Sequence, residues 1–237
     1  MKKKPKLSVI VIAKSQNEMR PLLDLLQKQT YDNFEIITST KGTIPEAWND
    51  AIAKASGDFF VFTESDARPV NNNWLSEIAM HVKSRCIIKG IEIRPTDFNL
   101  CNTVFDASIF KNNGFKFDES FPICEDSELF ARLRKNGFIL SFVEAFPVIH
   151  IQKISWKNTL KRAFKQGLLY AKIVHMHGLE NIDNINTRSF TNNRYRISPV
   201  SNRIREIVHN ILVMLGVVLG LIIYSPLRIK KENTSGR

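Results

Sequence analysis

The sequence predicts an α/β fold, a mixed and mainly parallel sheet flanked by helices, with a C-terminal hydrophobic helix after it. Three observations carry this. Short β-branched or aromatic runs at 7–13, 34–38 and 58–63 alternate with helical patterns at 18–29 and 45–54, the order expected of βαβ units. The first run, Leu7 to Ala13, is apolar without alternation, as in a strand covered on both faces. Far downstream, the 18 residues Ile207 to Tyr224 form the strongest apolar segment of the chain.

Each element follows from its own residues. Met19, Leu22, Leu23, Leu25 and Leu26 give the helical spacing at 18–29. Phe34 to Thr38 is a second strand, Pro45 opens the helix at 45–54, and Asp58 to Thr63 is a third strand. A helix is expected around 72–84, with shorter strands at 86–93 and 101–105. Glu125 to Asn136 reads as a helix with Leu129, Phe130 and Leu133 on one side, and Gly137 stops it. Strands return at 138–143 and at Phe146 to His150. Ser155 to about His175 is a long basic amphipathic helix lined by Trp156, Lys157, Leu160, Lys161, Arg162, Phe164 and Lys165. Residues 181–202 are polar, as in a loop or linker. These features divide the chain into a domain at 1–175, a basic polar linker at 176–205, and a hydrophobic segment with a basic tail at 206–237.

Charge is distributed unevenly. Residues 1–150 hold 19 Lys+Arg and 19 Asp+Glu, whereas residues 151–237 hold 15 and 4, so the second part carries the whole net charge of +11. A basic tail suits an acidic partner, either anionic lipid headgroups or nucleic acid. The segment Ile207 to Tyr224 is at the lower length limit for a membrane span, and His209 and Asn210 interrupt its start. Arg203 and Arg205 precede it, and Arg228, Lys230 and Lys231 follow it, so the flanks give no orientation. A spanning helix, an interfacial helix and a re-entrant hairpin bending at Gly216 and Gly220 all fit, and the bland alternative is a buried core helix. Membrane association is the favoured reading, which disfavours nucleic acid. The basic start ends its apolar run at Lys14, short for a signal peptide. Cys86, Cys101 and Cys124 fit no zinc spacing and read as reduced thiols in a cytosolic setting.

The third strand runs into Glu64-Ser65-Asp66. Ligands of open α/β sheets bind beyond the carboxyl ends of the strands. Two carboxylates there, beside a diphosphate, make a site for Mg²⁺ or Mn²⁺; a solvated acidic turn is the plainer alternative. Glu125-Asp126 opens a helix, where capping alone explains acidic residues. His150 closes a short strand, where a lone histidine is more often structural. His175 and His177 read as solvated. No Walker sequence, Gly-x-Gly-x-x-Gly motif, supported Ser/His/Asp set or internal repeat occurs.

Order and spacing join these pieces. The acidic pair is followed by Trp74-Leu75, by Gly114-Phe115 with Asp118-Glu119, by Glu125-Asp126-Ser127-Glu128-Leu129 with Arg132-Leu133 and Gly137, and by His150. Together with Ala47-Trp48-Asn49 and Gly57-Asp58, this resembles the family 2 glycosyltransferases of the GT-A fold over about residues 6–170. The resemblance implies that 1–175 is a GT-A domain and that Asp66 binds the metal directly, with Glu64 on the ribose or the metal and His150 completing the site. It implies Asp126 as catalytic base with Glu125 supporting the acceptor. Ala13, Lys14, Glu18, Thr38, Asn49, Glu64 and Ser65 would line the donor pocket. The implied partners are a nucleotide-sugar donor, a lipid-linked or glycan acceptor and an anionic membrane surface, at the cytoplasmic face of the cell membrane, and the implied reaction is inverting. Two departures stand out. The acidic residue usual after strand two is absent from Ile37-Thr38-Ser39-Thr40, and the metal motif starts with Glu. A nucleotidyltransferase is disfavoured, since Ala13 to Glu18 holds no glycine. A non-catalytic membrane adaptor on the same fold is the other alternative.

Overall fold

The structure, a computed structural model, describes residues 4–93, 100–151, 156–181 and 200–232. In chain order these form β1 (Leu7–Ile12), α1 (Gln16–Leu26), β2 (Phe34–Ser39), α2 (Ile44–Lys54), β3 (Phe59–Glu64), β4 (Ala67–Pro69), α3 (Trp74–His81), β5 (Ile87–Lys89), β6 (Glu92–Ile93), β7 (Thr103–Asp106), α4 (Ser108–Lys111), α5 (Glu125–Lys135), β8 (Leu140–Phe142), β9 (Val148–His150), α6 (Trp156–His177) and α7 (Val200–Glu232). A six-stranded sheet has the order β2-β1-β3-β7-β5-β8, with β7 antiparallel to both neighbours and the other pairs parallel. A three-stranded sheet, β4-β9-β6, sits beside it.

The run of β1, apolar but for the buried Ser8, has the reason expected of it. Ile10 and Ile12 face a core with Trp48, Phe62, Phe105, Phe117 and Leu129. Leu7, Val9 and Val11 face the opposite core with Met19, Leu22, Trp74 and Ile78. Alternate side chains of one strand thus serve two layers of helices. Thr43 and Glu46 form a capping box at the start of α2, and Gly137 (φ +80) ends α5 in the left-handed region.

Three expectations change. The run at 86–93 is two strands in two sheets, because the chain turns at Gly90, where a Cβ would strike the Phe146 ring. His175 and His177 are not solvated: His177 Nε2 lies 3.0 Å from Glu128 Oε1 and His175 stacks on Tyr224. The third change concerns Ile207 to Tyr224, which is the middle of α7 and does not bend at Gly216 or Gly220. There the missing side chains let α7 lie against α6, with Gly167 beside Gly216, Ala171 beside Gly220 and His175 beside Tyr224, so the two helices run parallel. Within 211–223 the α7 side chains turned away from α6 are apolar and exposed, as at Met214 (62%) and Ile222 (67%). The linker expected at 176–205 falls mostly outside the described residues, as do the side chains of Trp156 and Lys157.

Candidate active site

β1, β2 and β3 end at one level. Ile12 pairs with Ser39 on one side and Glu64 on the other, so Ala13, Thr38 and Glu64 share the carboxyl edge of the sheet. Beyond Glu64 the chain turns through Ser65 and Asp66 into β4. Arg68 holds this turn by donating from Nη1 to the carbonyls of Ser65 (2.7 Å) and Ala67 (2.6 Å). β4 pairs with β9, which sets Ala67 opposite His150.

Glu64, Asp66 and His150 therefore meet. His150 Nε2 is 3.1 Å from Asp66 Oδ1 and 3.7 Å from Glu64 Oε2, and all three offer atoms within 4.8 Å of one another. Two carboxylate oxygens and an imidazole nitrogen are a donor set that fits Mn²⁺ or Mg²⁺. Burial alone would lower the pKa of His150, but hydrogen bonds with Asp66, Glu64 and Glu92 hold it well above the usual histidine range. Burial would raise Asp66, and the His150 contact keeps it low instead.

The second carboxylate pair opens α5. Cys124, just before it, takes a left-handed φ of +62, uncommon for a residue with a side chain. Asp126 is partly buried, and its Oδ1 accepts from Ser127 N at 2.7 Å and Ser127 Oγ at 3.3 Å. Burial, reinforced by the charge of Glu64, pushes Asp126 up to about 6. Burial and then Asp126 push Glu125 well above the usual carboxylate range, and Arg162 on α6 counteracts both shifts. The two acidic pairs are thus one electrostatic unit.

The remaining predicted residues are more scattered. Glu18 folds back so that its carboxylate accepts from Lys14 N at 3.2 Å, closing the loop after β1. Asn49 uses its amide on the 117–119 loop, donating to Phe117 O and Glu119 Oε1 (both 3.0 Å) and accepting from Phe117 N (2.9 Å). A carboxylate does reach the end of β2, from Asp50, which accepts from Ser39 Oγ at 2.8 Å.

Reading the sequence gave Arg68, Lys89, Glu92 and Arg162 no place in this site. Lys89 and Glu92 left a signal, as the only charges in the apolar run Cys86 to Ile93.

No family model and no curated protein matches the chain. Solved structures do. The chain is similar to the mannosyltransferase PcManGT from Pyrobaculum calidifontis, solved with GDP-Man and Mn²⁺, at 13% identity and a TM-score of 0.60 over 95% of this chain and 76% of that one. It is also similar to residues 1–349 of TarS from S. aureus, solved with UDP-GlcNAc, at 15% identity and a TM-score of 0.54 over 90% of this chain and 81% of that one. A longer TarS structure is matched over 47% of its length, so the chain spans about half of it. The fold is that of the GT-A glycosyltransferases.

Proposed function

We propose that this chain is a metal-dependent glycosyltransferase of the family 2 type. It takes a sugar from a nucleotide-diphosphate donor to a hydroxyl of a lipid-linked or polysaccharide acceptor, with inversion at the anomeric carbon. One observation carries the reading: a metal-type set, Glu64, Asp66 and His150, stands at the sheet edge close enough for Glu64 to help raise the carboxylate of Asp126. The nucleotide sugars in the PcManGT and TarS structures support a donor of this class.

Asp66, Glu64 and His150 would hold Mg²⁺ or Mn²⁺, whose positive charge would offset the negative charge of the departing diphosphate. Asp126, with a pKa brought near working pH, takes the proton of the attacking hydroxyl. Glu125, held toward its neutral form, supports the acceptor. Ala13, Lys14, Thr38 and Ser65 line the donor side, while Glu18 and Asn49 shape it through the loops they hold. A single displacement from the opposite face gives inversion.

α7 seats the enzyme on a membrane, at its cytoplasmic face. Its apolar stretch of 18 residues is about 27 Å long at ~1.5 Å per residue, close to the hydrocarbon thickness of a bilayer. The basic residues at both ends suit anionic headgroups. α6 binds α7 on one face and covers α5 on another, through Ile173 against Phe121, Cys124 and Ala131. One helix therefore separates the lipid-facing surface from Asp126, which favours a lipid-linked acceptor.

The test is transfer across a panel of nucleotide sugars, with Mn²⁺ and membrane lipids, for wild type beside Asp126→Asn. Metal-dependent transfer lost in Asp126→Asn with donor binding kept supports the assignment. A chain that binds no nucleotide diphosphate, with or without metal, sinks it in favour of an adaptor.

A further inference from the structure

We propose that Glu92 is a positioning residue of the metal site, which fixes the His150 ring so that Nε2 is the atom offered to the cation beside Asp66 and Glu64. The inference rests on the metal reading above.

The argument starts from the opposite side of the imidazole. His150 Nδ1 is 3.1 Å from Glu92 Oε2, and both side chains are 3% exposed. A carboxylate can only accept, so Nδ1 carries the hydrogen of that bond. Nε2 lies equally close to Asp66 Oδ1, at 3.1 Å, and also carries a hydrogen there; a cation held by Asp66 and Glu64 would replace that hydrogen and leave the one on Nδ1 in place. Glu92 is held in turn. Lys89 Nζ donates to Glu92 Oε1 and to the carbonyl of Cys101, the latter at 2.5 Å. The carboxylate thus stands between an ammonium and an imidazole.

Topology makes the arrangement rigid. Glu92 lies on β6 and His150 on β9, paired in parallel with Glu92 opposite Val148. β9 pairs on its other edge with β4, which follows Asp66. The small sheet therefore places orienting carboxylate, imidazole and metal-type carboxylate in a row. Stability alone gives little reason for such a row, because a buried ion pair replaced by apolar side chains of similar volume often leaves a protein as stable or more so. A carboxylate behind a ligating histidine fixes its tautomer and orientation, and loss of it typically weakens metal binding about 10–100-fold.

Mn²⁺ binding tests this on the whole chain in detergent, read from the paramagnetic resonance of the free ion and thus independently of turnover. Glu92→Gln keeps the shape but offers the ring an amide donor. It should weaken Mn²⁺ binding by about 10–100-fold. His150→Ala should weaken it too, and the double variant should bind no worse than His150→Ala alone, since Glu92 acts through the ring. Should Glu92→Gln fail to fold for want of the carboxylate charge beside Lys89, Lys89→Met with Glu92→Gln removes both charges and should show the same loss. Nitrogen-15 resonances of wild type loaded with Mg²⁺ should place the ring proton on Nδ1.

Wild-type affinity in a folded Glu92→Gln variant, losses that add in the double variant, or a proton on Nε2 would overturn the role of Glu92 while leaving the metal site standing. A wild-type chain that binds no Mn²⁺ would overturn both.

Discussion

Gly167 of α6 and Gly216 of α7 meet backbone to backbone: a Cβ on Gly216 would sit 3.0 Å from the Gly167 Cα, and one on Gly167 would run into the Val213 carbonyl. Neither glycine can gain a side chain unless the helices separate. Gly216→Leu should therefore destabilise the α6–α7 pair by about 1–3 kcal/mol, the range for overpacking a close contact. Val218→Leu, on the exposed face, should change little. Thermal unfolding in detergent checks this, and equal midpoints for the two variants would count against the contact.

The exposed apolar surface of α7 predicts how the protein attaches. Salt at about 1 M shortens the screening length to about 3 Å and should release a protein held by basic residues alone. This chain should stay with the membrane fraction through such a wash and leave it only in detergent. Release by salt would assign attachment to the basic flanks instead.

Asp126 predicts a pH profile. A base must be ionised, and burial places its pKa at about 6. Transfer at saturating donor should be flat above that value and fall about tenfold per pH unit below it. Asp126→Asn should lose about 10²–10⁴ in rate, with nucleotide affinity unchanged. A wild-type rate that does not vary between about pH 5 and 7 would remove Asp126 from the proton transfer.

The metal set predicts a preference and a proton. Imidazole suits later transition metals better than Mg²⁺, so Mn²⁺ should bind more tightly than Mg²⁺, and Asp66→Asn or His150→Ala should weaken both. The raised pKa of His150 means that a cation must displace a proton from it. Affinity should then rise with pH, and binding should release acid into weak buffer. Chelation should stop transfer.

Much of the fold could be read from the residues because it rests on local pattern. β1 is apolar but for the buried Ser8 because helices cover both its faces, and Gly137 ends α5 where a left-handed residue is needed. Asp66, Asp126 and His150 each have a plainer reading by themselves, and only the family resemblance carried by their order and spacing singles them out. Glu92 did not stand out, since a charge within an apolar run gains meaning only from a partner 58 positions away. Nor did the direction of α6 against α7, since a glycine in a helix reads equally well as a bend or as a close contact. His177 looked solvated because its partner, Glu128, lies 49 residues earlier, on another helix.

The small sheet β4-β9-β6 has a consequence for the order of events during synthesis. It joins residues 67–69, 92–93 and 148–150, so the proposed cation site can form only once the last of these has left the ribosome and paired. Contacts of such long sequence separation form late. A half-made chain can hold the aligned ends of β1, β2 and β3 and still bind no metal. Gain of Mn²⁺ affinity in truncated chains of increasing length would thus mark the moment when the small sheet has closed.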